Sequence, residues 1–401
     1  MMNAIIIFPL LKYLPRNRPS RLEAKDFAVV MPGRACGVAA AHGPQLRKLR
    51  QKQRLRGGGV IGYAPLPMQM KESPPLLRFG VASDLHATDW ASAETFRRAL
   101  RWFRDQGVDA VTVPGDLTDH GILPQLENVA RSWREVFPDD RAPDGRRVER
   151  LFIYGNHDFE GLGYRDKWMD AAFAVHGIPR EEAEALQLRR IGLDKAWERC
   201  FGEPYAPIWR KRVKGFDFIG GHSAWQAPAG LADWFAANAA SLDPDKPFFY
   251  IQHPHPKGTV YGARACGCDD GTSARVLSAF PNAVAITGHS HLPLTDDLAV
   301  WRGAFTSVAA ASLSYGFWPE TPERTERSRA AAVGFPGGVP FAQGLLVDVF
   351  ADRIELRARD FARNEPLGAP QVLPIAPSPT TRGRSATATS TTSHQSPPTA
   401  S

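Results

Sequence analysis

Apolar and polar positions predict a repeating order of strand, motif and helix from residue 76 onward. The apolar run at 77–82 predicts a strand, and 92–106 has the spacing of an amphipathic helix. Residues 109–114, 126–137 and 150–154 repeat strand, helix and strand. Because strands that alternate with helices form parallel sheets, we expect βαβ units whose strand carboxyl ends meet at one edge.

The second half of the chain continues this pattern after an interruption. Residues 159–212 are rich in charge and helix formers, and we interpret them as a helical insertion near the mouth of the site. Strands are predicted again at 216–220, 247–252 and 283–287. Four later segments look like antiparallel strands of a second sheet, namely 298–301, 305–309, 344–350 and 353–359.

Both ends of the chain differ from its body in composition. Residues 1–75 hold 13 Lys or Arg against 3 Asp or Glu, a charge of +10, so a whole chain of +7 leaves −3 for the remainder. We therefore predict a basic, disordered leader at 1–75, a folded domain at 76–375 and a disordered Ser/Thr/Pro-rich tail at 376–401. A mildly acidic body has no general basic surface, so no stable nucleic-acid partner is expected.

The leader bears on location but does not predict a membrane span. Its apolar run at 4–11 contains Pro9 and is far shorter than the roughly 20 residues that a span needs, and no later stretch is long enough. Four cysteines in 401 residues do not form a disulfide framework, which favours a reducing compartment. We predict a cytoplasmic location, with secretion or organelle targeting through the leader as the alternative.

Potential metal ligands follow five of the predicted strands. In chain order they are Asp84 and His86, Asp116 and Asp119, Asn156 with His157 and Asp158, His253 and His255, and His289 and His291. Carboxylate and amide oxygens together with imidazole nitrogens suit two ions that share one carboxylate. Core packing poorly explains five such blocks in order, so the first hypothesis is a dinuclear hydrolase.

Local chemistry assigns roles to some of these residues. Gly115 permits a tight turn before Asp116, which we predict to be the ligand shared by both ions. The side chain of His157 would diverge from that of Asn156 and could face the substrate as general acid toward the leaving oxygen. An acid of this kind needs an orienting carboxylate, and Asp119 is the best candidate, with Asp158 second.

The ordered blocks resemble the calcineurin-like metallophosphoesterase superfamily. Its pattern is Asp-x-His, Gly-Asp-x-x-Asp, Gly-Asn-His-Asp/Glu, a lone His and Gly-His-x-His, and the resemblance covers about residues 77–360. It implies an α/β fold, a four-layer α/β/β/α sandwich of two mixed sheets flanked by helices. It places Asp84, His86, Asp116 and His291 on one metal and Asp116, Asn156, His253 and His289 on the other, with His157 and Asp119 as the catalytic pair.

The fourth block leaves an alternative open, because it is written His253-Pro254-His255-Pro256 whereas family members often show His-x-Pro. We prefer His253 since it directly follows a predicted strand, with His255 as the alternative ligand.

Departures from subfamily patterns reduce the number of substrate classes to consider. Protein Ser/Thr phosphatases of this superfamily have an Arg where this chain has His120, and purple acid phosphatases have a metal-binding Tyr where Asp119 stands. Cyclic-nucleotide phosphodiesterases and assorted bacterial phosphoesterases remain. Candidate substrate contacts are His120, His222, His255 and Arg264. The simpler interpretation of His222 is a strand-end residue with no functional role, and that of Arg264 is a solvated charge on a loop.

The expected function is hydrolysis of a phosphomonoester or phosphodiester of a small molecule or nucleotide. Two ions, chosen from Mn, Fe, Zn or Co, would lower the pKa of a bridging water, and the hydroxide would attack phosphorus while His157 protonates the leaving oxygen. A cyclic-nucleotide phosphodiesterase or a nuclease guided by the leader is the alternative. A non-catalytic scaffold is a further class, which predicts an incomplete ligand set.

Overall fold

The computed structural model describes residues 73–165, 177–262, 267–316 and 341–376. All of them belong to one compact unit, Met70–Ser401. In these ranges, every helix is too short or too polar to cross a bilayer.

The first half of the unit alternates strands and helices as the apolar pattern predicts. Its elements are β1 (Leu77–Val81), α1 (Glu94–Asp105), β2 (Ala110–Pro114), α2 (Leu123–Val136) and β3 (Glu149–Ile153). On α1, the apolar residues Phe96, Leu100 and Phe103 recur at helical spacing and are buried. Helix α2 begins three residues before the predicted start, because Pro124 fits the first turn of a helix, where no backbone N–H is needed.

The interrupting segment is helical for most of its described length but ends in a strand. It contains α3 (Asn156–Arg165), α4 (Arg180–Ala185), α5 (Leu188–Ile191), α6 (Leu193–Phe201) and β4 (Ile208–Val213). The predicted helical insertion over 159–212 was therefore too long at its carboxyl end. Residues 208–213 pair antiparallel with the next strand, and their charged side chains suit an edge strand.

The remaining elements complete two sheets. They are β5 (Phe216–Gly221), α7 (Leu231–Asn238), β6 (Phe248–Gln252), α8 (Thr272–Leu277), β7 (Ala283–Thr287), β8 (Val300–Arg302), β9 (Thr306–Ala309), β10 (Gln343–Val349), β11 (Arg353–Asp360), β12 (Glu365–Pro366) and β13 (Gln371–Pro374). The first sheet has the order β12-β11-β10-β1-β2-β3, with β13 also paired to β11. The second has the order β4-β5-β6-β7-β9-β8.

Both sheets are mixed, with parallel strands at their centres. Strands β1, β2 and β3 are parallel, as are β5, β6, β7 and β9. Antiparallel strands lie at the flanks, where β10 pairs with β1 and β4 with β5. This arrangement brings the carboxyl ends of the parallel strands to one edge of each sheet.

The prediction of four antiparallel strands in a second sheet was wrong about the sheet for two of them. Strands β10 and β11 extend the first sheet, with Phe79 of β1 opposite Val347 of β10. Strands β8 and β9 do lie in the second sheet and pair antiparallel with each other, although β9 also pairs parallel with β7. All seven residues of β10 are buried, as expected of a strand inside a sheet rather than at its edge.

Three apolar layers hold the unit together. The sheets pack face to face through residues such as Phe79, whose ring lies 5.2 Å from that of Phe218 and 4.8 Å from that of Phe249. Helices α1, α2 and α6 cover the outer face of the first sheet, and α7 and α8 cover that of the second. Each fully buried Phe contributes about 1.5–3 kcal/mol. The fold is thus the predicted α/β/β/α sandwich of two mixed sheets.

Candidate dinuclear metal centre

The five predicted blocks lie together where the carboxyl ends of the two sheets meet. Asp84 and His86 follow β1, Asp116 follows β2 and Asn156 follows β3 in the first sheet, while His253 follows β6 and His289 and His291 follow β7 in the second. All seven side chains are buried except that of His289, which is partly exposed. A concentration of buried polar groups at this edge is what a ligand site requires.

Unusual backbone geometry marks the same residues. The φ angles of Asp84, His86, Asp116, His289 and His291 lie between 43° and 69°, in the left-handed region that non-glycine residues rarely adopt. Each such residue costs of order 1–3 kcal/mol and persists only when its surroundings enforce it. The turns therefore aim these side chains at a common point at the expense of stability.

Glycines allow two of the loops to approach each other closely. Gly115 has a φ of 99°, and a Cβ there would collide with the ring of His253. A Cβ at Gly155 would collide with the backbone N–H and carboxylate of Asp116. The glycines before Asp116 and Asn156 thus make room for residues of both sheets to meet.

One group of side chains, the Asp84 cluster, consists of Asp84, His86, Asp116 and His291. His291 Nε2 lies 2.9 Å from Asp84 Oδ1 and 3.1 Å from His86 Nε2. His86 Nε2 is 3.6 Å from Asp116 Oδ2. Burial opposes ionisation of Asp84, yet the facing His291 lowers its pKa below the ordinary value, so this carboxyl group is charged at neutral pH.

A second group, the Asn156 cluster, consists of Asp116, Asn156, His253 and His289. His253 Nε2 lies 2.8 Å from Asn156 Oδ1 and 3.3 Å from Asp116 Oδ2, and His289 Nδ1 lies 2.9 Å from Asn156 Oδ1. Asp116 Oδ2 therefore faces histidines of both clusters. The two clusters share this one carboxylate oxygen.

The hydrogen-bond partners behind the histidines define which ring nitrogen carries a lone pair. His291 Nδ1 donates to the Tyr315 carbonyl at 2.8 Å, and His253 Nδ1 donates to the Pro114 carbonyl at 2.7 Å. Each Nε2 in a neutral ring is then an acceptor that points into a cluster of other acceptors. Burial alone lowers the pKa of His253, but the nearby Asp116 carboxylate raises it to about 9. The Asn156 cluster therefore stabilises a positive charge placed next to Asp116. This donor set fits metal cations.

His157 lies beside the Asp84 cluster, but its hydrogen bond differs from the predicted one. Its Nδ1 is 2.8 Å from the backbone carbonyl oxygen of Asp119 and 3.7 Å from the Asp119 carboxylate. The His157 ring meets that of His86 edge-on, with centroids 4.4 Å apart. Burial lowers the pKa of His157 to about 4, so the imidazole is neutral at pH 7.

Asp158, the second candidate orienter, is engaged elsewhere. Its carboxylate accepts hydrogen bonds of 2.7–3.0 Å from the backbone N–H groups of Leu117, Thr118 and Gly155 and from the Thr118 hydroxyl. Burial, reinforced by the Asp116 charge, raises its pKa to about 7. Asp158 thus ties the loop after β2 to the start of α3.

Three other candidates lie outside the two clusters. His255 Nδ1 pairs with the Thr287 hydroxyl at 2.8 Å, and burial next to His253 lowers its pKa to about 3. His120 is buried and held by Gln125, whose Nε2 lies 2.9 Å from His120 Nδ1. His222 Nδ1 accepts the Tyr154 N–H at 3.0 Å inside an aromatic group. Arg264 is outside the described residues.

Two aromatic residues near the clusters were not predicted. The Tyr315 ring lies 4.3 Å from that of His291 and 4.9 Å from that of His86. Trp225, on the loop after β5, is 37% exposed and meets the His289 ring edge-on at 5.0 Å. The sequence could have pointed to Tyr315 as an aromatic residue that follows the predicted strand at 305–309. Because that strand was expected to run antiparallel, its carboxyl end was not expected at the edge of the sheet where the ligands lie.

A family model, calcineurin-like phosphoesterase, matches residues 77–293. The chain belongs to this family, which confirms the resemblance seen in the ordered blocks. The matched range contains all seven candidate ligands and both members of the predicted catalytic pair. No curated protein sequence matches the chain.

Several solved structures are similar to this one at low sequence identity. A dimetal phosphatase from Danio rerio is 13% identical, with 75% of this chain and 100% of that chain covered and a TM-score of 0.44. A purple acid phosphatase from yellow lupin seeds is 12% identical, with 74% and 53% covered and a TM-score of 0.45. Vacuolar protein sorting 29 from Cryptosporidium parvum is 10% identical, with 74% and 98% covered and a TM-score of 0.33.

Proposed function

We propose that this protein is a metal-dependent phosphoesterase that hydrolyses a phosphomonoester or phosphodiester of a small molecule or nucleotide. The observation that carries the proposal is the pair of buried acceptor clusters that share Asp116 Oδ2. Each cluster combines imidazole nitrogens with carboxylate or amide oxygens, a mixture that suits Mn, Fe, Zn or Co better than Ca or Mg. Membership of the phosphoesterase family supports the reaction class.

In this proposal, one divalent or trivalent transition-metal ion is held by each cluster. The ligands of the first are Asp84, His86, Asp116 and His291, and those of the second are Asp116, Asn156, His253 and His289. His253 is preferred over His255 because its Nε2 faces Asp116 and Asn156, whereas His255 is turned toward Thr287. When bound, the two ions would supply an activated water and neutralise charge on the phosphoryl oxygens.

His157 is the proposed general acid toward the leaving oxygen. Its Nδ1 proton is donated to the Asp119 carbonyl, so Nε2 is the nitrogen proposed to protonate the leaving group. A neutral imidazole has no second proton to give. The negative charge of a bound phosphate ester raises the pKa of a neighbouring histidine, so substrate binding itself would favour the protonated form.

The complete clusters favour catalysis over a scaffold role. A protein that keeps this fold only to bind a partner has no need of strained backbone at five ligand positions. The body of the chain also has a slightly acidic balance, which favours a small phosphate ester over a nucleic acid as substrate.

Ester hydrolysis by the full chain tests this proposal. The metal-stripped protein is restored with Mn²⁺ and given bis-p-nitrophenyl phosphate or p-nitrophenyl phosphate. We expect Mn-dependent turnover of at least one ester, with the preferred ester indicating a phosphodiesterase or a phosphatase. No metal-dependent turnover of either ester would overturn the proposal and favour the scaffold role.

Two variants assign the turnover to this site. His157→Ala should lower kcat by about 10²-fold or more while Mn²⁺ binding is retained. Asp217→Asn is the matched control, because Asp217 is a buried carboxylate that pairs with Arg210 and Arg212 on the second sheet, away from both clusters. It should keep wild-type turnover. Equal losses in the two variants would point to damaged folding instead of lost chemistry.

A further inference from the structure

Within the described residues, three histidines lie near the Asp119 carboxylate, and the contact to His86 is the shortest of these three. Asp119 Oδ1 lies 3.0 Å from His86 Nδ1 and 3.7 Å from His157 Nδ1. Asp119 Oδ2 lies 3.5 Å from His120 Nδ1. Since N–H···O hydrogen bonds in proteins are mostly 2.7–3.2 Å long, the contact to His86 is the strong one.

The protons on the rings support the same choice. Gln125 Oε1 accepts the His120 backbone N–H at 2.8 Å, which orients the amide so that Gln125 Nε2 donates to His120 Nδ1 at 2.9 Å. His120 Nδ1 is then an acceptor and cannot donate to Asp119. His157 Nδ1 lies 2.8 Å from the Asp119 backbone carbonyl oxygen but 3.7 Å from the carboxylate, so its N–H is directed to the carbonyl. Of these three histidines, His86 is the one whose Nδ1 is placed to donate to the Asp119 carboxylate, at 3.0 Å.

We propose that the Asp119 side chain positions His86 as a metal ligand, while His157 is oriented by the Asp119 backbone carbonyl. The inference rests on the proposed metal-dependent function. A carboxylate that accepts the Nδ1 proton fixes the tautomer and the ring orientation, so that His86 Nε2 presents its lone pair to the Asp84 cluster, 3.6 Å from Asp116 Oδ2. One residue thus serves two histidines through two different groups.

Substitution of the Asp119 side chain separates these roles, because every variant keeps the backbone carbonyl that holds His157. Mn²⁺ binding to metal-stripped full-length protein is measured by isothermal titration calorimetry. Asp119→Ala should weaken binding at one of the two sites by about 10- to 100-fold. Asp119→Asn keeps an acceptor without the charge, so its loss should be smaller. Excess Mn²⁺ should restore most of the turnover lost by either variant at limiting metal.

A catalytic pair between the Asp119 carboxylate and His157 gives the opposite pattern. In that case Asp119→Ala would bind Mn²⁺ as tightly as the wild type, and its reduced kcat would match that of His157→Ala at any metal concentration. That result overturns the positioning role and leaves the proposed function intact. Failure of the wild type to bind Mn²⁺ at all would instead overturn the proposed function and this inference with it. Far-ultraviolet circular dichroism confirms that each variant is folded.

Discussion

The Asp84 cluster and the Asn156 cluster share an oxygen but differ in charge. The Asp84 cluster contains two carboxylates, from Asp84 and Asp116, and a third carboxylate, Asp119, lies directly behind His86. The Asn156 cluster has only the shared Asp116, and a neutral carbonyl group of Pro114 lies behind His253. The two clusters therefore differ in negative charge even without bound ions.

Coulombic attraction turns this asymmetry into an expected order of binding. A cation is attracted more strongly to the cluster with the larger negative charge, and both clusters are too buried for full solvent screening. The Asp84 cluster should therefore take its ion first and hold it more tightly. The Asn156 cluster should hold the more exchangeable ion.

The largest effect is expected from Asp116→Asn, which removes the charge that the clusters share. If Asp116 is the proposed ligand common to both ions, its loss costs several kcal/mol of transition-state stabilisation, so kcat/KM should fall by about 10³-fold or more. Metal analysis of the purified variant should give at most one Mn²⁺ per chain. A variant that keeps two tightly bound ions would show that the clusters do not depend on a common oxygen.

A pair of substitutions after β6 tests the Asn156 cluster alone. His253→Ala removes a proposed ligand and should weaken the second Mn²⁺ site by about 100-fold, because an acceptor is lost beside Asn156 and Asp116. His255→Ala, two residues on, is the matched control and should change Mn²⁺ affinity by less than about threefold. Calorimetric titration of both variants decides the matter. The reverse ranking would make His255 the ligand.

Asn156→Asp should make the clusters more alike. An added carboxylate gives the Asn156 cluster two charges, so the weaker Mn²⁺ site should tighten by about tenfold and the two binding steps should merge. Turnover should fall at the same time, because the additional negative charge opposes that of the phosphoryl group. Unchanged separation of the two steps in the titration would mean that cluster charge does not govern the order of binding.

The smallest expected effect is a change in the pH dependence of stability, and it comes from His222, a buried histidine outside both clusters. Burial, together with the Lys211 charge, lowers the pKa of His222 to about 3. The unfolded chain takes up this proton near pH 6.5, so the native state loses stability as the pH falls from 6.5 toward 3. His222→Asn keeps an acceptor for the Tyr154 N–H but cannot be protonated.

We expect the loss of unfolding free energy between pH 7 and pH 5 to be about 2 kcal/mol smaller in His222→Asn than in the wild type. Urea unfolding at the two pH values measures it. Identical losses would show that His222 is protonated in the native state.

Local pattern predicted the strands that carry the candidate ligands because each is a short apolar run followed by a turn. The same pattern failed for β10 and β11, since an apolar strand can complete either sheet and only long-range packing decides which one. The placement of β10 beside β1 depends on contacts between Phe79 and residues some 270 positions away, such as Val347. A single sequence contains no signal for that choice.

Side-chain hydrogen bonds were the second feature that could not be predicted from the sequence. The spacing of Asp119 and His157 predicts that they are neighbours, but not whether a backbone or a carboxylate oxygen receives the Nδ1 proton. A rotation about one side-chain bond decides between these partners. His222 shows the same limit, since its place after β5 fits a pocket or a core equally well until Trp197 and Tyr205 are seen to surround it.

The candidate metal centre takes its ligands from both sheets, which has a consequence for the order of events during synthesis and folding. His86 and His291 face each other although they are 205 residues apart in the chain. On the ribosome, the first sheet's ligands emerge long before those of β6 and β7 are synthesised, so no nascent intermediate can surround either ion completely. If the proposed ions are bound, we therefore expect each to be completely coordinated only after both halves of the sandwich have folded together.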